Sequence, residues 1–237
     1  MEAYQKSVAA EAEAALSALP QRLVHVQQLL QTHFGERRPS QVFEAYKAAA
    51  QLDTNAALQP LVVVVADELE HALAVLQKIS LWIQLLVPKV SDGNNFGVEV
   101  QRSVFVHLKE SIAAWQKAWD GLVDYHNQRA TAVEKVKDKV AKEGSVTETV
   151  TNSTGGKEGD ENKTVKTTVQ KESTNGAVPV QDWLAYIVAV DVKWYFNFAR
   201  TLEGLRDQYA LTFDVIDKNK EKVLLPRGAE RGGFNMY

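Results

Sequence analysis

Glu68 and His71 stand three residues apart, the spacing at which one helix face presents a carboxylate and an imidazole to the same metal ion. Di-metal carboxylate bundles need two such Glu-x-x-His pairs, because a single pair supplies too few ligands. No glutamate precedes His25, His33, His107 or His126 by three positions, so the second pair is missing. Glu68-Leu69-Glu70-His71 therefore reads as an exposed charged helix face, and a di-metal carboxylate enzyme stays only as an alternative. No metal and no cofactor is expected.

Other chemistries are poorly supplied. The 237 residues include no Cys, which removes disulfides, thiolate zinc sites and Cys nucleophiles. No P-loop, nucleophile elbow or His-Glu-x-x-His spacing occurs. Gly155-Gly156-Lys157 lacks the upstream glycine of a phosphate loop and reads as linker. Asn152-Ser-Thr and Asn162-Lys-Thr match the glycosylation acceptor pattern without a route to the secretory pathway. Lys135, Lys137, Lys139 and Lys142 are interleaved with Glu134 and Asp138, as on a solvated helix end. A net charge of -3 leaves no basic surplus for nucleic acid. No catalytic residue is assigned, and the protein is expected not to be an enzyme.

The elements that would position any site are helical. Leu16, Leu19, Leu23, Val26 and Leu30 put one apolar face on a first helix from Glu2 to about Thr32, with a kink or break predicted at Pro20. Residues 41–59 read as a connection containing a helical turn at Val42, Phe43 and Tyr46. A second helix runs from Pro60 to Val87 on Leu69, Leu73, Leu76, Ile79, Ile83 and Leu86. Val62, Val65, Trp82 and Leu85 widen its stripe, which suggests contact on more than one side, as in an oligomer. A third helix keeps its period from Gly97 to Gly144, and a fourth opens at Pro179 and runs to about Val223 with Trp183, Ile187, Val190, Trp194, Phe198, Leu205, Tyr209 and Ile216 on one face. The Trp residues at helical spacing read as core or subunit contacts.

Between the third and fourth helices, residues 144–178 are rich in Thr, Ser, Lys, Glu and Gly. Such a stretch buries too little apolar surface to offset the entropy of ordering and is expected to be a flexible insert. The alternating Val146–Val150 and Thr164–Val169 allow a hairpin as an alternative. The expected fold is all-α, a single up-down-up-down bundle of four long helices over residues 1–237. The start of the chain shows no secretory signal, and the apolar run Leu61–Ala66 falls far short of the roughly 20 residues that span a bilayer. The expected compartment is the cytoplasm, the nucleus or both, with no membrane partner. An amphipathic scaffold on membranes is the third alternative, and the negative net charge argues against it.

Two segments exceed what a plain bundle needs. Pro88 to Gly97 is longer than a simple inter-helix turn and concentrates Asp92, Gly93, Asn94, Asn95 and Gly97, which tolerate left-handed backbone and bond locally to backbone groups. It reads as a shaped, stiff loop. Residues 227–237 form a glycine-bearing, flexible tail ending in Phe234-Asn235-Met236-Tyr237, an apolar tip suited to a pocket that captures a terminal carboxylate. In up-down-up-down order the loop and the end of the fourth helix share a pole, and the insert takes the other.

Val87-Pro88-Lys89, Asp92 to Val98 and Val100-Gln101 resemble the activation loop of the 11S (REG, or PA28-type) proteasome activators. Lys222, Pro226-Arg227-Gly228 and the closing Met236-Tyr237 resemble that family's C-terminus. The resemblance covers the C-terminal two thirds of the chain, and the first helix matches only in pattern. It implies a ring of seven identical or similar subunits, a homo-heptamer by first expectation, that caps the 20S proteasome α-ring, without ATP, and passes peptides through a central channel. Asp92 and Asn94 would be the gate-contacting residues, and Gly93, Asn95, Phe96 and Gly97 would shape the loop. Asn235, Met236 and Tyr237 would dock between core subunits through the terminal carboxylate. Met236 stands where ATP-dependent activators carry tyrosine, so the tail is expected to anchor and the loop to open. Ser91 replaces a common acid, and the insert lies between the third and fourth helices rather than the first and second. It is expected to surround the far channel mouth and filter peptides.

Overall fold

The structure, a computed structural model, describes residues 1–36, 38–47, 54–144 and 180–228, with backbone alone at 139–144 and 180. Regular structure among these residues is entirely helical. In chain order the helices are α1 (Glu2–His33), α2 (Pro39–Lys47), α3 (Gln59–Leu86), α4 (Phe96–Asp120), α5 (Val123–Gly144), α6 (Val180–Lys218) and the short α7 (Lys220–Leu224). Four of the expected long rods are present, the third as α4 plus α5 and the fourth as α6 plus α7. The insert after Gly144, its hairpin alternative and residues 229–237 lie outside the described residues.

α1 is one helix across Pro20, so the break expected there does not occur. An interior proline costs a helix about 3 kcal/mol. Burial of Leu19, Val26 and Leu30 on both sides of it, against α3 and α6, offsets that cost. The helical turn expected near Tyr46 is the nine-residue α2, whose Tyr46 meets Tyr195 of α6 edge-on at 6.1 Å. Asn55 shapes the turn ahead of α3: its side-chain oxygen accepts the Ala57 and Leu58 amides at 3.1 and 3.2 Å, and Pro60 follows in the first turn of the helix, as expected.

α3 packs on α1, α4, α6 and α7. Its wide apolar arc is therefore used inside the chain: Val65 and Trp82 are buried, and Val62 and Leu85 pack on the core. The arc does not by itself call for an oligomer. The expected continuous helix from Gly97 to Gly144 is interrupted at Gly121 and Leu122, where amides turn to carbonyls three residues back, Leu122 to Trp119 at 3.1 Å and Asp124 to Gly121 at 3.1 Å. Glycine carries a high helix penalty, and the tighter turn is the local response.

Direction follows from contacts. Arg22 meets Glu68 and Lys78 meets Glu11, so α1 and α3 are antiparallel. Arg129 meets Asp191 and Ala132 packs by Ile187, so α5 and α6 are antiparallel too. At that end the buried Asp191 accepts from Asn55 at 3.0 Å, Tyr125 at 3.2 Å and Arg129 at 3.2 Å, joining the start of α3 to α5 and α6. Trp82 and Trp194 are buried within the subunit, while Trp115, Trp119 and Trp183 are half-buried.

Candidate functional site

The loop from Val87 to Asn95 joins α3 to α4, and the chain leaves α7 beside it. Gly93 has φ +123°, a conformation that side-chain-bearing residues rarely adopt, with open space around its Cα. Asn94 accepts the Phe96 amide on its Oδ1 at 3.1 Å, a local turn that shapes the entry to α4. Asn95 offers its main-chain oxygen to Glu99 at 3.0 Å, and its side chain turns instead to Arg227, whose Nη2 donates to Oδ1 at 3.3 Å. Asp92 and Asn94 are exposed.

Gly97 is buried because the backbone of Pro226 crosses it. A Cβ at this position would lie 2.6 Å from the Pro226 Cα and carbonyl carbon, and closer still to the oxygen. Two turns of chemistry hold the crossing segment. Gln101, one helical turn into α4, donates to the Val223 carbonyl at 2.7 Å and reaches the Leu86 carbonyl at 3.4 Å. Beyond α7, the Gly228 amide closes a turn on the Leu225 carbonyl at 2.9 Å, with Gly228 at φ +76°. The loop and the root of the tail thus emerge from one pole, in contact.

That pole carries exposed apolar side chains among its polar ones. Val87, Val90, Phe96 and Leu225 are all exposed, Phe96 to 67%. The Phe96 ring stands in solvent, so the loop's geometry here is held by Gly93, Asn94, Asn95 and Gly97 and by the Phe96 amide rather than its side chain. Asn235, Met236 and Tyr237 lie outside the described residues. Sequence reasoning passed over Gln101 as a functional group. Its signal was a polar residue in the core-facing row of Gly97, Val104 and Leu108.

Glu68 is not on an exposed charged face, as the sequence suggested; it is 1% exposed. It accepts from Arg22 of α1 and, at 2.7 Å, from the Tyr209 hydroxyl of α6, while the His71 ring nitrogen Nδ1 lies 3.1 Å from that hydroxyl. Burial, then Glu68, pushes the Tyr209 hydroxyl far above its ordinary range. Burial, then Arg22, holds His71 below its ordinary value. The carboxylate is consumed in clamping three helices. Among the described residues no group of three or more His, Asp or Glu side chains is gathered to hold a metal ion.

A family model described as the C-terminal domain of proteasome activator PA28 matches residues 51–153 and 160–233. Proteasome activator complex subunit 3 of Homo sapiens is 24% identical over 203 residues, covering 83% of this chain and 65% of that protein. The Gallus gallus subunit 3 is 25% identical over 178 residues, 75% of this chain and 55% of that one. The chain spans less than two thirds of the length of these relatives. The 11S subunit of the Plasmodium falciparum proteasome, PA28, superposes with a TM-score of 0.65 at 20% identity, covering 95% of this chain and 89% of that one. The two share the bundle fold.

Proposed function

The chain belongs to the PA28 proteasome activator family, a family of regulators rather than enzymes, and from that premise we propose that it docks on the 20S proteasome and opens its gate without ATP, stimulating peptide hydrolysis. The observation that carries this reading is the contact of the loop base with the tail root, Gly97 beneath Pro226 and Asn95 beside Arg227. A device that must anchor and open at one surface needs those two segments at one pole. The exposed Val87, Val90, Phe96 and Leu225 give that pole apolar area for a protein partner.

The tail, through Tyr237, Met236 and Asn235, supplies the anchor, and Asp92 and Asn94 meet the gate. One short tail of millimolar affinity contributes about -4 kcal/mol. A closed homo-heptamer repeats it at matched spacing and multiplies the affinity. Peptides pass through the ring's channel, and the insert, attached between α5 and α6 at the opposite pole, filters them at the far mouth. The protein works in the cytoplasm, the nucleus or both, wherever latent core is found.

The test is to mix the purified chain with latent 20S core, without nucleotide, and follow fluorogenic peptide hydrolysis alongside co-sedimentation. Saturable stimulation with co-sedimentation supports the reading. Basal hydrolysis at every concentration refutes it.

A further inference from the structure

Gln101 sits where three chain segments meet. It is fully buried, and among the described residues its Oε1 has no hydrogen-bond partner. A buried amide with one unpaired oxygen is costly, and an apolar side chain of similar size would avoid that cost. What the apolar side chain could not do is donate. The Gln101 carboxamide nitrogen carries two hydrogens, and both have helix-end carbonyls in front of them. Leu86 is the last residue of α3, the point from which the loop departs; Val223 lies in α7, just ahead of the tail root. Carbonyls at helix C-termini have no partner within their own helix. One side chain therefore ties together the origins of both segments that face the gate.

Two further contacts lock the same junction from below. Pro226 lies directly on Gly97, so neither can shift without the other. Arg227 holds the Asn95 amide oxygen at 3.3 Å, across the seam between tail root and loop. Gln101, Gly97 and Asn95 are all on the loop side of the seam; Val223, Pro226 and Arg227 are all on the tail side. We infer that Gln101 is a positioning residue which, with the Gly97–Pro226 contact, makes the loop and the tail root one rigid block, so that the loop keeps its place on the bundle's pole when the ring is docked.

The inference rests on the proposed function, since it assigns the contacts a task within docking and opening. Its consequence is separable from simple docking. Anchoring requires only the tail tip; opening requires that the loop stand at the correct height once the tip is held. Without the block, the tail still docks while the loop samples displaced positions. Loss of an interaction of ordinary hydrogen-bond strength shifts such a two-position equilibrium by about tenfold.

The experiment uses the full chain with latent 20S core. Docking is titrated by co-sedimentation and stimulation is read at saturating activator, for wild type, Gln101→Leu and Arg227→Ala. Arg227 is exposed, so its variant keeps the question answerable if Gln101→Leu fails to fold. The expected result is docking within about twofold of wild type and saturating stimulation reduced about twofold in Gln101→Leu, as a position held at about ten to one falls to about one to one, with a smaller loss in Arg227→Ala that does not add to the first in the double variant. A merely stabilising role would lower thermal stability without changing saturating stimulation per docked ring. Unchanged saturating stimulation in both variants overturns the inference, and so does a parallel loss of docking and stimulation. Wild-type protein that docks and stimulates while both variants do the same discards the coupling alone. Wild-type protein that stimulates nothing overturns the proposed function itself.

Discussion

Replacing Glu68 by leucine removes an acceptor shared by α1 and α6. Tyr209 is fully buried, and its hydroxyl hydrogen goes to Glu68 at 2.7 Å. That hydrogen being used, the hydroxyl oxygen is the acceptor for His71, which places the His71 proton on Nδ1. With leucine at position 68 the Tyr209 hydroxyl keeps only His71, which accepts once its proton moves to Nε2, so a bond to a carboxylate gives way to a neutral one at a cost of about 1–2 kcal/mol. Arg22 loses its carboxylate, but its side chain is 27% exposed and reaches water, so the roughly 3–5 kcal/mol for breaking a buried pair falls to about 1–2 kcal/mol. Together the variant is destabilised by about 3 kcal/mol, or roughly 6–12 °C in melting temperature for a chain of this size. The assay is thermal unfolding by far-UV circular dichroism at several protein concentrations, which separates subunit unfolding from loss of assembly. Tyr209→Phe should cost less in the Glu68→Leu background than in the wild type, because the carboxylate its hydroxyl bonds is already gone. A loss below about 1 kcal/mol, or full additivity of Glu68→Leu and Tyr209→Phe, would refute the three-helix clamp.

Other outcomes follow from the same geometry. His71 is held below its ordinary value by burial and Arg22, with His25, Glu68 and Tyr209 also facing it, so the unfolded chain binds its proton more readily. Its contribution to stability is full above about pH 6.5 and is lost as the pH falls below that value; His71→Gln should flatten the fall in urea midpoints measured across that range. Gly93→Val forces a β-branched residue to φ +123°, at a cost of about 1–3 kcal/mol within the loop, and should reduce peptidase stimulation while co-sedimentation with the core persists. Deleting Tyr237 moves the terminal carboxylate, and co-sedimentation at ordinary concentrations should vanish; an unchanged pellet would remove the tail from the anchor.

The helices were legible because their signal is local and periodic. Leu69, Leu73, Leu76, Ile79 and Ile83 declare a buried face without reference to anything distant, and all five are buried. The loop's turn geometry was legible for the same reason, since Gly93 and Asn94 act on backbone within two residues of themselves. Pro20 does not break α1 because its penalty is local while the compensating burial comes from α3 and α6. Glu68 was misjudged because its charge reads as surface until Tyr209, 141 residues away, is brought to it.

Periodic apolar spacing and turn-forming residues act over a few positions, so the amino-acid order alone settled the helical rods, the polar stretch between two of them and the shaped corner. Whether that corner touches the root of the tail depends on Gln101 meeting Val223 across 122 residues and on Pro226 lying over Gly97. Such pairings have no local signature. They exist because packed helices of set length end at the same height, and only the assembled bundle decides that.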